Sequence, residues 1–589
     1  MTNKEITSLF RNIAAAYTIE NENKYKFQII AYQKAADAVE HASTELKNLY
    51  EQGSLEKIPG IGPTIRDRLI ELFQTGRVKH YDEVLSRISP AVFPLLDIPS
   101  FGPKKAYKLV THFHLKNPKT VIGDVKTLAV EGKIENLEGF GQKSQADILQ
   151  AITEYKTGTT KTNRMVLPYA FELAEEVLGY LKKSRDVIEV EPLGSLRRMA
   201  PTVGDVDIAV TSKNPEAVIN HFVAFSAKER VIEKGPTTAS ILIGGGRHVD
   251  ILVLPPKQFG SLLQHFTGSK HHNVALREYA LKKHMSLSER GIKLIDKTGT
   301  PLMEFDSEEK FYKYLGLSWI PPELRENLGE IELAQKNILP KLIELKDIKG
   351  DLHIHSNYPI DSSHDYGNAS VEDMLKKAQD LNYEYLGFSE HNPSINNHTS
   401  AQIYSILSKR KQFIEQIKLS NKSIRVINLL EIDILASGKL AVDEKGLENI
   451  DAAIVSIHSS FNTPKDKMTE RVLKGLSHPK AKILAHPTGR LINSRDGYDL
   501  DWDKIFAFCK DNNKALEINA WPERLDLPDL LVKEANDKGV KFVISTDSHD
   551  LFHMDNMFYG VSVARRGWCT KDSILNALSY DKFFSWLNL

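Results

Sequence analysis

Several features that often reveal what a protein does are scarce in this chain of 589 residues. It has only two cysteines, Cys509 and Cys569, and neither belongs to a CxxC pair, so a disulfide framework is excluded. No apolar run approaches the length of a membrane span, and the opening MTNKEITSLF has no stretch typical of a signal peptide. Lys plus Arg and Asp plus Glu both total 77, which excludes a global basic field for nucleic acid. We therefore expect a cytoplasmic protein of several domains that makes no membrane contact.

Apolar runs that end in histidine or a carboxylate recur between residues 350 and 589. The runs are DLHIH, YLGFSEH, INLLEID, AIVSIHS, KILAHP and FVISTDSH. Buried parallel strands of a barrel place their ends on one face, so these side chains are expected to gather there. One histidine on a strand is usually an ordinary core or surface residue, but a whole series at strand ends outweighs that alternative. The candidate metal ligands are His353, His355, His391, Glu431, His458, His486, Asp547 and His549, a mixed set that suits Mn²⁺, Zn²⁺ or Fe²⁺.

A second carboxylate cluster is predicted in the middle of the chain, where GSLRRMAPTVGDVDIAV begins at Gly194. Asp205 and Asp207 are two residues apart in a strand-like run, so they face the same way. Asp250 lies in RHVDILVLP, a further alternating run that is expected to pair alongside. Three convergent carboxylates suit two Mg²⁺ or Mn²⁺ ions that activate a hydroxyl. A DxD pair alone is a weak signal, and the GS motif shortly before it makes the pattern more specific.

Three segments near the N-terminus share an apolar residue, a glycine-containing turn and a following helix: 55–72, 95–109 and 134–149. Helix N-termini after such turns offer free N–H groups to a phosphate. The candidate DNA-binding residues are Gly60, Gly62, Gly102, Lys104, Lys105, Gly139, Gly141 and Lys143. A plain helical turn with a glycine cap is the alternative for one copy, and three copies make it a minor one.

Taken together, residues 1–340 resemble the family X DNA polymerases, and residues 350–589 resemble the PHP (polymerase and histidinol phosphatase) domain fused to bacterial and archaeal members. The motifs that carry the resemblance are AYQKAA, the three hairpins, GSLRR, GDVD, FTGSKHHNVALREYA, WIPPELRE and GDLHIH. It implies a multidomain α+β polymerase, with helical N-terminal domains, a mixed α/β palm and a thumb, followed by an α/β distorted TIM-like barrel. The expected domains are a helical lyase-like segment (1–85), fingers (86–160), palm (161–255), thumb (256–340), linker (341–349) and PHP domain (350–589).

The resemblance also implies roles for individual residues. Asp205, Asp207 and Asp250 would bind the two catalytic metals, with Asp250 beside the primer 3′-hydroxyl. The implied nucleotide-binding residues are Ser195, Arg198, Gly204, Phe266, Gly268, Asn273 and Arg277. In the barrel, the first acidic ligand is expected to be Asp361, with Asp365 as the alternative in HSNYPIDSSHD. Glu390 takes the place of an acid behind the ligands, and Arg490 is a candidate for holding a substrate phosphate.

Departures from the family pattern refine these expectations. Arg68 stands where repair members have a lysine that forms a Schiff base, and a guanidinium cannot serve as that nucleophile. Gln28 and Thr64 also replace phosphate-binding lysines, so we predict weak or no deoxyribose-phosphate lyase activity. In the polymerase half the departures are His265, Leu252 and Arg290. We hypothesise that the guanidinium of Arg290 compensates for the one missing at Leu252 by reaching Asp207.

The function that the resemblance implies is gap-filling DNA synthesis combined with metal-dependent 3′→5′ exonuclease or 3′-end processing, as in base excision repair. Cleavage at abasic sites stays open. The expected partners are gapped or nicked duplex DNA and dNTPs, and we expect a monomer. One alternative is a nuclease whose polymerase half has decayed into a DNA-holding module. The other is a small-molecule phosphatase, against which the three hairpins argue.

Overall fold

The computed structural model describes residues 1, 3–40, 46–51, 55, 61–98, 101–137, 139–157, 164–244, 247–295 and 301–588. Contacts divide the chain into two units, Met1–Asn163 and Arg164–Leu589, which are described separately below. No helix among these residues combines the length and apolar character needed to cross a membrane.

The first unit is helical throughout its described part. Its helices are α1 (Asn3–Asn21), α2 (Lys26–Glu40), α3 (Leu46–Glu51), α4 (Pro63–Thr75), α5 (Lys79–Leu85), α6 (Pro103–His112), α7 (Val121–Val130) and α8 (Gln142–Thr157). Pro63 and Pro103 occupy the first positions of α4 and α6, where a missing N–H costs nothing and the fixed φ suits the helix. Phe10, Tyr32 and Tyr81 pack edge to face in the core of this unit.

The second unit begins with a five-stranded sheet that corresponds to the expected palm. Its elements are β1 (Met165–Val166), α9 (Leu167–Leu181), β2 (Glu189–Pro192), α10 (Gly194–Arg197), β3 (Thr202–Val203), β4 (Val206–Thr211), α11 (Pro215–Val223), β5 (Lys228–Lys234), β6 (Thr238–Ile243) and β7 (Arg247–Leu254). The sheet order is β2-β4-β7-β6-β5, and β4 and β7 run parallel. Val206, Ile208 and Ile251 point into the core, so the alternating acids of β4 and β7 lie on the opposite face.

A small helical region with a two-stranded hairpin follows. It contains α12 (Phe259–Thr267), α13 (Lys270–Leu281), β8 (Met285–Ser288), β9 (Gly291–Leu294), α14 (Glu308–Leu315) and α15 (Glu330–Lys336). Phe311, Tyr312 and Leu324 are buried at its centre. The segment after α15 is tied to residues far along the chain: Leu342 pairs with Thr570 in an antiparallel bridge, and Ile343 N–H donates to the Cys569 carbonyl.

The remaining elements form a nearly closed parallel barrel. They are β10 (Gly350–Ile354), α16 (Val371–Asp380), β11 (Tyr385–Phe388), α17 (Ser400–Ser420), β12 (Arg425–Asp433), α18 (Glu444–Leu447), β13 (Ala452–Ser456), α19 (Lys465–Leu476), β14 (Ala481–Leu484), α20 (Trp502–Asp511), β15 (Ala515–Asn519), α21 (Asp529–Asp537), β16 (Lys541–Ser545), α22 (Met557–Arg566) and α23 (Tyr580–Leu587). Seven strands lie side by side in chain order. The ring closes where His355 N–H donates to the Ser548 carbonyl at 2.8 Å and Ser548 N–H donates to the His353 carbonyl at 3.2 Å. The strands are buried on both faces, which explains their uninterrupted apolar sequences.

The fold class predicted from the sequence is confirmed: helical N-terminal parts are followed by a mixed sheet, a thumb-like region and a parallel barrel. The division at Asn163 and Arg164 falls close to the predicted start of the palm at residue 161. The predicted domain boundaries themselves stay predictions.

Candidate active sites

Two adjacent parallel strands bring the predicted aspartates of the palm together. Asp207 on β4 and Asp250 on β7 are direct partners in the strand register, and Asp205 immediately precedes β4. Val206 is buried between the two acids of β4, so Asp205 and Asp207 share the exposed side of the sheet. The parallel register therefore sets how far apart these carboxylates lie.

The carboxylate of Asp207 lies in an electrostatically unfavourable place for a negative charge. Burial, together with the charges of Asp250 and Asp205, raises its pKa to about 6. Gly194 lies so close that an added Cβ would meet the Asp207 Oδ2 atom at 2.9 Å, and its φ of 58° favours glycine. No positively charged side chain is among the groups that shift the pKa of Asp207. Crowded carboxylates of this kind fit a site for divalent cations.

The residues expected to bind the triphosphate lie beside this cluster. Ser195 follows Gly194 in the short helix α10, and Gly204 directly precedes Asp205. The Arg198 guanidinium is engaged within the protein: its Nε donates to Glu326 Oε1 at 2.9 Å and its Nη1 to the Thr267 carbonyl. A Cβ at Gly268 would lie 3.1 Å from Arg198 Nη1, so this glycine leaves room for the guanidinium. The structure thus brings GSLRR and FTGS together, as their expected roles require.

The remaining nucleotide-site candidates lie on α12 and α13. Phe266 is partly exposed and contacts the ring of His265. Asn273 donates to the His265 carbonyl at 2.6 Å and accepts from Gln264 at 2.9 Å, so its amide helps to fix the corner between the two helices. Arg277 is exposed on the next turn of α13, near enough that its charge contributes to lowering the pKa of His265, after the larger effect of burial.

The compensation hypothesis for Arg290 is wrong in this structure. Arg290 is 59% exposed, and the acid it approaches is Glu289, at 3.6 Å. The groups that shift the pKa of Asp207 are its neighbouring aspartates rather than an arginine. The residue lies in the two-residue turn between β8 and β9, which directs its long side chain to solvent.

The three predicted hairpins precede helices α4, α6 and α8. Gly62 and Gly102 are the N-cap residues of α4 and α6, and a Cβ at either would meet nothing within 4 Å. Gly139 has a φ of 81°, and Gly141 precedes α8. Lys104 forms an exposed ion pair with Glu22 at 2.6 Å. Gly60 lies outside the described residues, as does the side chain of Lys143.

The candidate ligands of the barrel converge on the carboxylate of Glu431 at the end of β12. Its Oε2 atom lies 3.2 Å from His353 Nε2, 3.5 Å from His355 Nε2 and 2.9 Å from His391 Nδ1. Its other oxygen, Oε1, lies near two further imidazoles: 3.4 Å from His458 Nε2 and 3.1 Å from His486 Nε2. Asp547 Oδ1 lies 3.4 Å from the Nε2 atoms of both His353 and His355, and 3.9 Å from His549 Nδ1. All eight ligands predicted from the strand ends therefore meet at one end of the barrel.

Several buried donor atoms in this cluster lack a hydrogen-bond partner among the described residues. They are Nε2 of His353, both ring nitrogens of His355, Oε2 of Glu431, Nδ1 of His486 and Nε2 of His549. Buried polar atoms are rarely left unsatisfied, so their convergence fits a site that could hold metal ions. Ligand atoms within 4.8 Å of one another form four overlapping groups, including His353–His355–Glu431 and Glu431–His458–His486. Imidazole and carboxylate donors in this arrangement fit more than one transition-metal ion.

The first acidic ligand was predicted as Asp361, and the structure places this residue elsewhere. Asp361 has a φ of 53° and its Oδ2 atom binds His398 Nε2 at 2.8 Å. Asp365, the alternative, places Oδ1 3.3 Å from His391 Nε2 and Oδ2 3.4 Å from His549 Nε2. The loop turns between the two acids, and only the second one faces the cluster.

Sequence reasoning missed Glu517 and Asp433, which orient ligands, and His364, which forms a potential metal-binding group with His391 and His458. Glu517 on β15 accepts from His353 Nδ1 at 2.7 Å, which directs Nε2 toward the cluster. Asp433 accepts from His458 Nδ1 at 2.6 Å and from His364 Nε2 at 2.9 Å. A signal was present for two of them: Asp433 is two residues beyond Glu431 on the same strand face, and ALEIN is a further apolar run with a polar ending.

Arg490 and Glu390 lie near the cluster, and both are held by contacts within the protein. Arg490 donates from Nε and Nη2 to the carbonyls of Arg524 and Leu525, so two of its guanidinium nitrogens hold a loop; its role with a substrate phosphate stays a prediction. Glu390 is buried and pairs with Arg410, behind the ligands as expected. The guanidinium that does approach the ligands belongs to Arg524, whose Nε is 3.6 Å from Asp547 Oδ2.

Comparison with known proteins separates the same parts of the chain: the N-terminal helices, the thumb-like region and the barrel. Family models match residues 1–78 (helix-hairpin-helix domain), 262–326 (DNA polymerase beta thumb) and 351–520 (PHP domain). The chain is 32% identical over 581 residues to the DNA polymerase/3′-5′ exonuclease PolX of Bacillus subtilis, covering 98% of each chain. It is 24% identical over 352 residues to DNA polymerase lambda of Rattus norvegicus, covering 55% of this chain and 56% of that one. A probable phosphatase of Clostridium acetobutylicum is 27% identical over 215 residues, 35% of this chain and 81% of the other.

The protein belongs to the family X DNA polymerases that carry a C-terminal PHP domain. Its similarity to the Bacillus subtilis protein extends over both halves of the chain.

Proposed function

We propose that the chain is a two-site DNA-repair enzyme that extends a primer from the palm and shortens or processes 3′-ends in the barrel. The observation that carries the proposal is the presence of two separate clusters of potential metal ligands in a single compact unit. One is the aspartate trio on β4 and β7, and the other is the group around Glu431. Gapped duplex DNA and dNTPs are the proposed substrates, and the hairpin glycines of the N-terminal unit are the proposed backbone contacts.

In the palm, Asp205, Asp207 and Asp250 would hold two Mg²⁺ or Mn²⁺ ions. Ser195 and Arg198 would bind the triphosphate, since a hydroxyl and a guanidinium suit its oxygens. Gly204 would let the backbone approach the same phosphates, and Phe266, Gly268, Asn273 and Arg277 would contact the sugar, base and template. Asp250 would lie next to the primer 3′-hydroxyl and accept its proton.

In the barrel, we propose a ligand set that differs from the predicted one in its first acid. The set is His353, His355, Asp365, His391, Glu431, His458, His486, Asp547 and His549, with Mn²⁺, Zn²⁺ or Fe²⁺ as the ions. Divalent ions at either site would supply Lewis acidity for attack on phosphorus and for departure of the leaving oxygen. Glu517 and Asp433 would keep the imidazoles in the tautomer that a ligand needs. Arg524 would hold the non-bridging oxygens of the scissile phosphate.

A matched pair of variants tests both halves on the same DNA. A labelled primer on a gapped duplex is incubated with Mg²⁺ or Mn²⁺, with and without dNTPs. Asp205→Ala is expected to abolish extension and leave shortening of the primer intact, because its carboxylate belongs only to the palm cluster. His353→Ala is expected to do the reverse, so each variant is the control for the other. Extension that survives Asp205→Ala would refute the palm assignment, and degradation that survives His353→Ala would refute the barrel assignment.

The names of the relatives that match the barrel alone favour a second candidate, a small-molecule phosphatase. The test is to compare release of a nucleotide from a DNA 3′-end with release of phosphate from a small phosphomonoester. A preference for the phosphomonoester would support the phosphatase and count against the nuclease.

A further inference from the structure

A buried ion-pair network joins the end of the barrel to the expected triphosphate site. Arg566, the last residue of α22, donates from Nη1 to Glu326 Oε1 at 3.0 Å. The same oxygen accepts from Arg198 Nε at 2.9 Å, so the two arginines share one carboxylate atom. Arg566 Nη1 also donates to the backbone carbonyl of Arg198 at 2.8 Å, and its Nε donates to Asp529 at 2.7 Å. All four residues belong to the same compact unit.

The network is shielded from solvent, so its charges act strongly on one another. The side chains of Arg566, Arg198 and Glu326 are 7%, 14% and 23% exposed. Burial alone would raise the pKa of Glu326, but the charges of Arg566 and Arg198 outweigh it and bring the pKa to about 2. Glu326 is therefore a carboxylate at neutral pH, and it is held by both arginines.

The charge balance around Arg198 depends on the barrel residue. Two arginines and the two acids, Glu326 and Asp529, sum to zero. Without Arg566 the same group would carry one net negative charge, and Glu326 would pair with Arg198 alone. A triphosphate arriving at Arg198 would then meet an arginine neutralised by its neighbour, together with an additional negative charge.

The adjacent arginine on the same helix provides an internal comparison. Arg565 also pairs with a thumb acid, Glu323, at 2.7 Å, and it donates from Nη1 to the Ile343 carbonyl. It thus contributes to the same interface between helix α22 and the region before the barrel. No contact with Arg198 is seen for it among the described residues.

We propose that Arg566 of the barrel is a positioning residue for nucleotide binding in the palm. By sharing Glu326 it leaves part of the positive charge of Arg198 unneutralised for the incoming triphosphate, and through the Arg198 carbonyl it fixes the backbone of the GSLRR turn. The PHP half therefore contributes to the affinity of the polymerase half for dNTPs. The inference rests on the proposed role of Arg198 in binding the triphosphate.

Single-nucleotide insertion into a gapped duplex, measured over a range of dNTP concentrations, tests this role. Arg566→Ala is expected to raise KM for the dNTP about tenfold or more, with a smaller change in kcat, because charge that binds the ground state is lost. Arg565→Ala is expected to change KM by less than about twofold. Hydrolysis of a small phosphodiester by the barrel is expected to stay within about twofold of wild type in both variants.

A double variant separates positioning from simple loosening of the interface. In a Glu326→Gln background the carboxylate that contacts Arg198 is absent, so adding Arg566→Ala is expected to change KM by less than about threefold, the part that comes from the contact with the Arg198 carbonyl. If Arg566→Ala does not fold, Arg566→Lys, which keeps the charge but not the fork geometry, is expected to raise KM by an intermediate amount.

The outcomes distinguish failure of the inference from failure of the function. Equal KM values for Arg566→Ala and Arg565→Ala, or an undiminished effect in the Glu326→Gln background, would overturn the positioning role while wild-type insertion stands. A wild-type chain that inserts no nucleotide would overturn the proposed polymerase function and this inference with it.

Discussion

Replacing Glu308 with glutamine should destabilise the second unit strongly, because this acid neutralises two arginines in the protein interior. Glu308 is 3% exposed, and its Oε1 atom lies 2.6 Å from Arg325 Nη1. Arg197 forms a two-pronged pair with it at 3.0 and 2.8 Å, and Trp319 Nε1 donates to it at 3.2 Å. Arg325 is fully buried, and Arg197 also donates to Thr267. Through Arg197 the network joins the GSLRR turn to Thr267 of the FTGS motif.

The magnitude follows from two independent estimates. Removing one partner of a buried ion pair costs about 3–5 kcal/mol, because the remaining charges stay desolvated. The pKa of Glu308 gives a similar figure. Burial alone would raise it, but Arg325 and Arg197 lower it from 4.5 to about 2, and that shift corresponds to about 3 kcal/mol. For a unit of this size, we expect the denaturation temperature to fall by about 3–10 °C.

The assay compares Glu308→Gln with Glu309→Gln, the same chemical change at the next residue, which is exposed. Thermal and urea denaturation at pH 7 should show the loss in the first variant and a change within about 0.5 kcal/mol in the second. Because the folded-state pKa is depressed, the contribution of Glu308 is complete above pH 4.5 and disappears as the pH falls toward 2. The difference between wild type and Glu308→Gln should narrow over that range. Equal stability of the two variants at pH 7 would refute the reasoning.

Further predictions concern both sites. Asp207→Asn should stabilise the metal-free protein by about 1–3 kcal/mol at pH 7.5, and the gain should vanish below about pH 4, because burial and two neighbouring carboxylates raise the pKa of the acid from 3.8 to about 6. Added Mn²⁺ at 100 times its Kd should increase the free energy of unfolding by about 2.7 kcal/mol and so raise the denaturation temperature. His353→Ala should reduce that rise. Borohydride should trap no adduct with 5′-deoxyribose-phosphate DNA, since Arg68 donates to a buried tyrosine and cannot form a Schiff base. Arg524→Ala should raise KM for DNA hydrolysis about tenfold, whereas Arg490→Ala should chiefly lower the denaturation temperature.

Each of these expectations has a result that contradicts it. Equal free energies of unfolding for Asp207→Asn and wild type in EDTA, at pH 7.5 as well as below about pH 4, would contradict the first expectation. An undiminished rise of the denaturation temperature of His353→Ala on adding Mn²⁺ would contradict the second. A covalent adduct at Arg68, or equal KM values for Arg524→Ala and Arg490→Ala, would remove the corresponding argument.

The strand-borne parts of both sites could be predicted from the sequence because strand geometry fixes them. His353 on β10 and His355 directly after that strand are two residues apart and face the same way, and Asp207 and Asp250 lie opposite each other in a parallel pair. The period of two along a strand and the common edge of parallel strands are enough to bring such residues together. Asp433 on β12 follows the same rule, but its partner His458 comes after a different strand, β13, and this pairing was not predicted.

The loop-borne parts could not be predicted in this way. Asp361 and Asp365 are four residues apart in a loop, and the choice between them depends on a residue with positive φ that sequence spacing does not reveal. Arg490 follows a histidine ligand closely in sequence, yet loop carbonyls capture its guanidinium. The prediction for Arg290 was wrong for a related reason, since a hairpin turn rather than a strand sets the direction of its side chain. Long side chains on loops have many partners within reach, and tertiary packing selects among them.

The tie between the segment before the barrel and its last helices has a consequence for synthesis of the chain. Glu326 emerges from the ribosome 240 residues before its partner Arg566, which at about 5–20 residues per second is a delay of roughly 12–48 s. Leu342 likewise waits for Thr570. The region before the barrel can collapse during that interval, but its buried acid has only one of its two arginines. A stalled or truncated chain would therefore expose an incompletely paired surface, and completion of the earlier half is deferred until the last strand and helix α22 have been made.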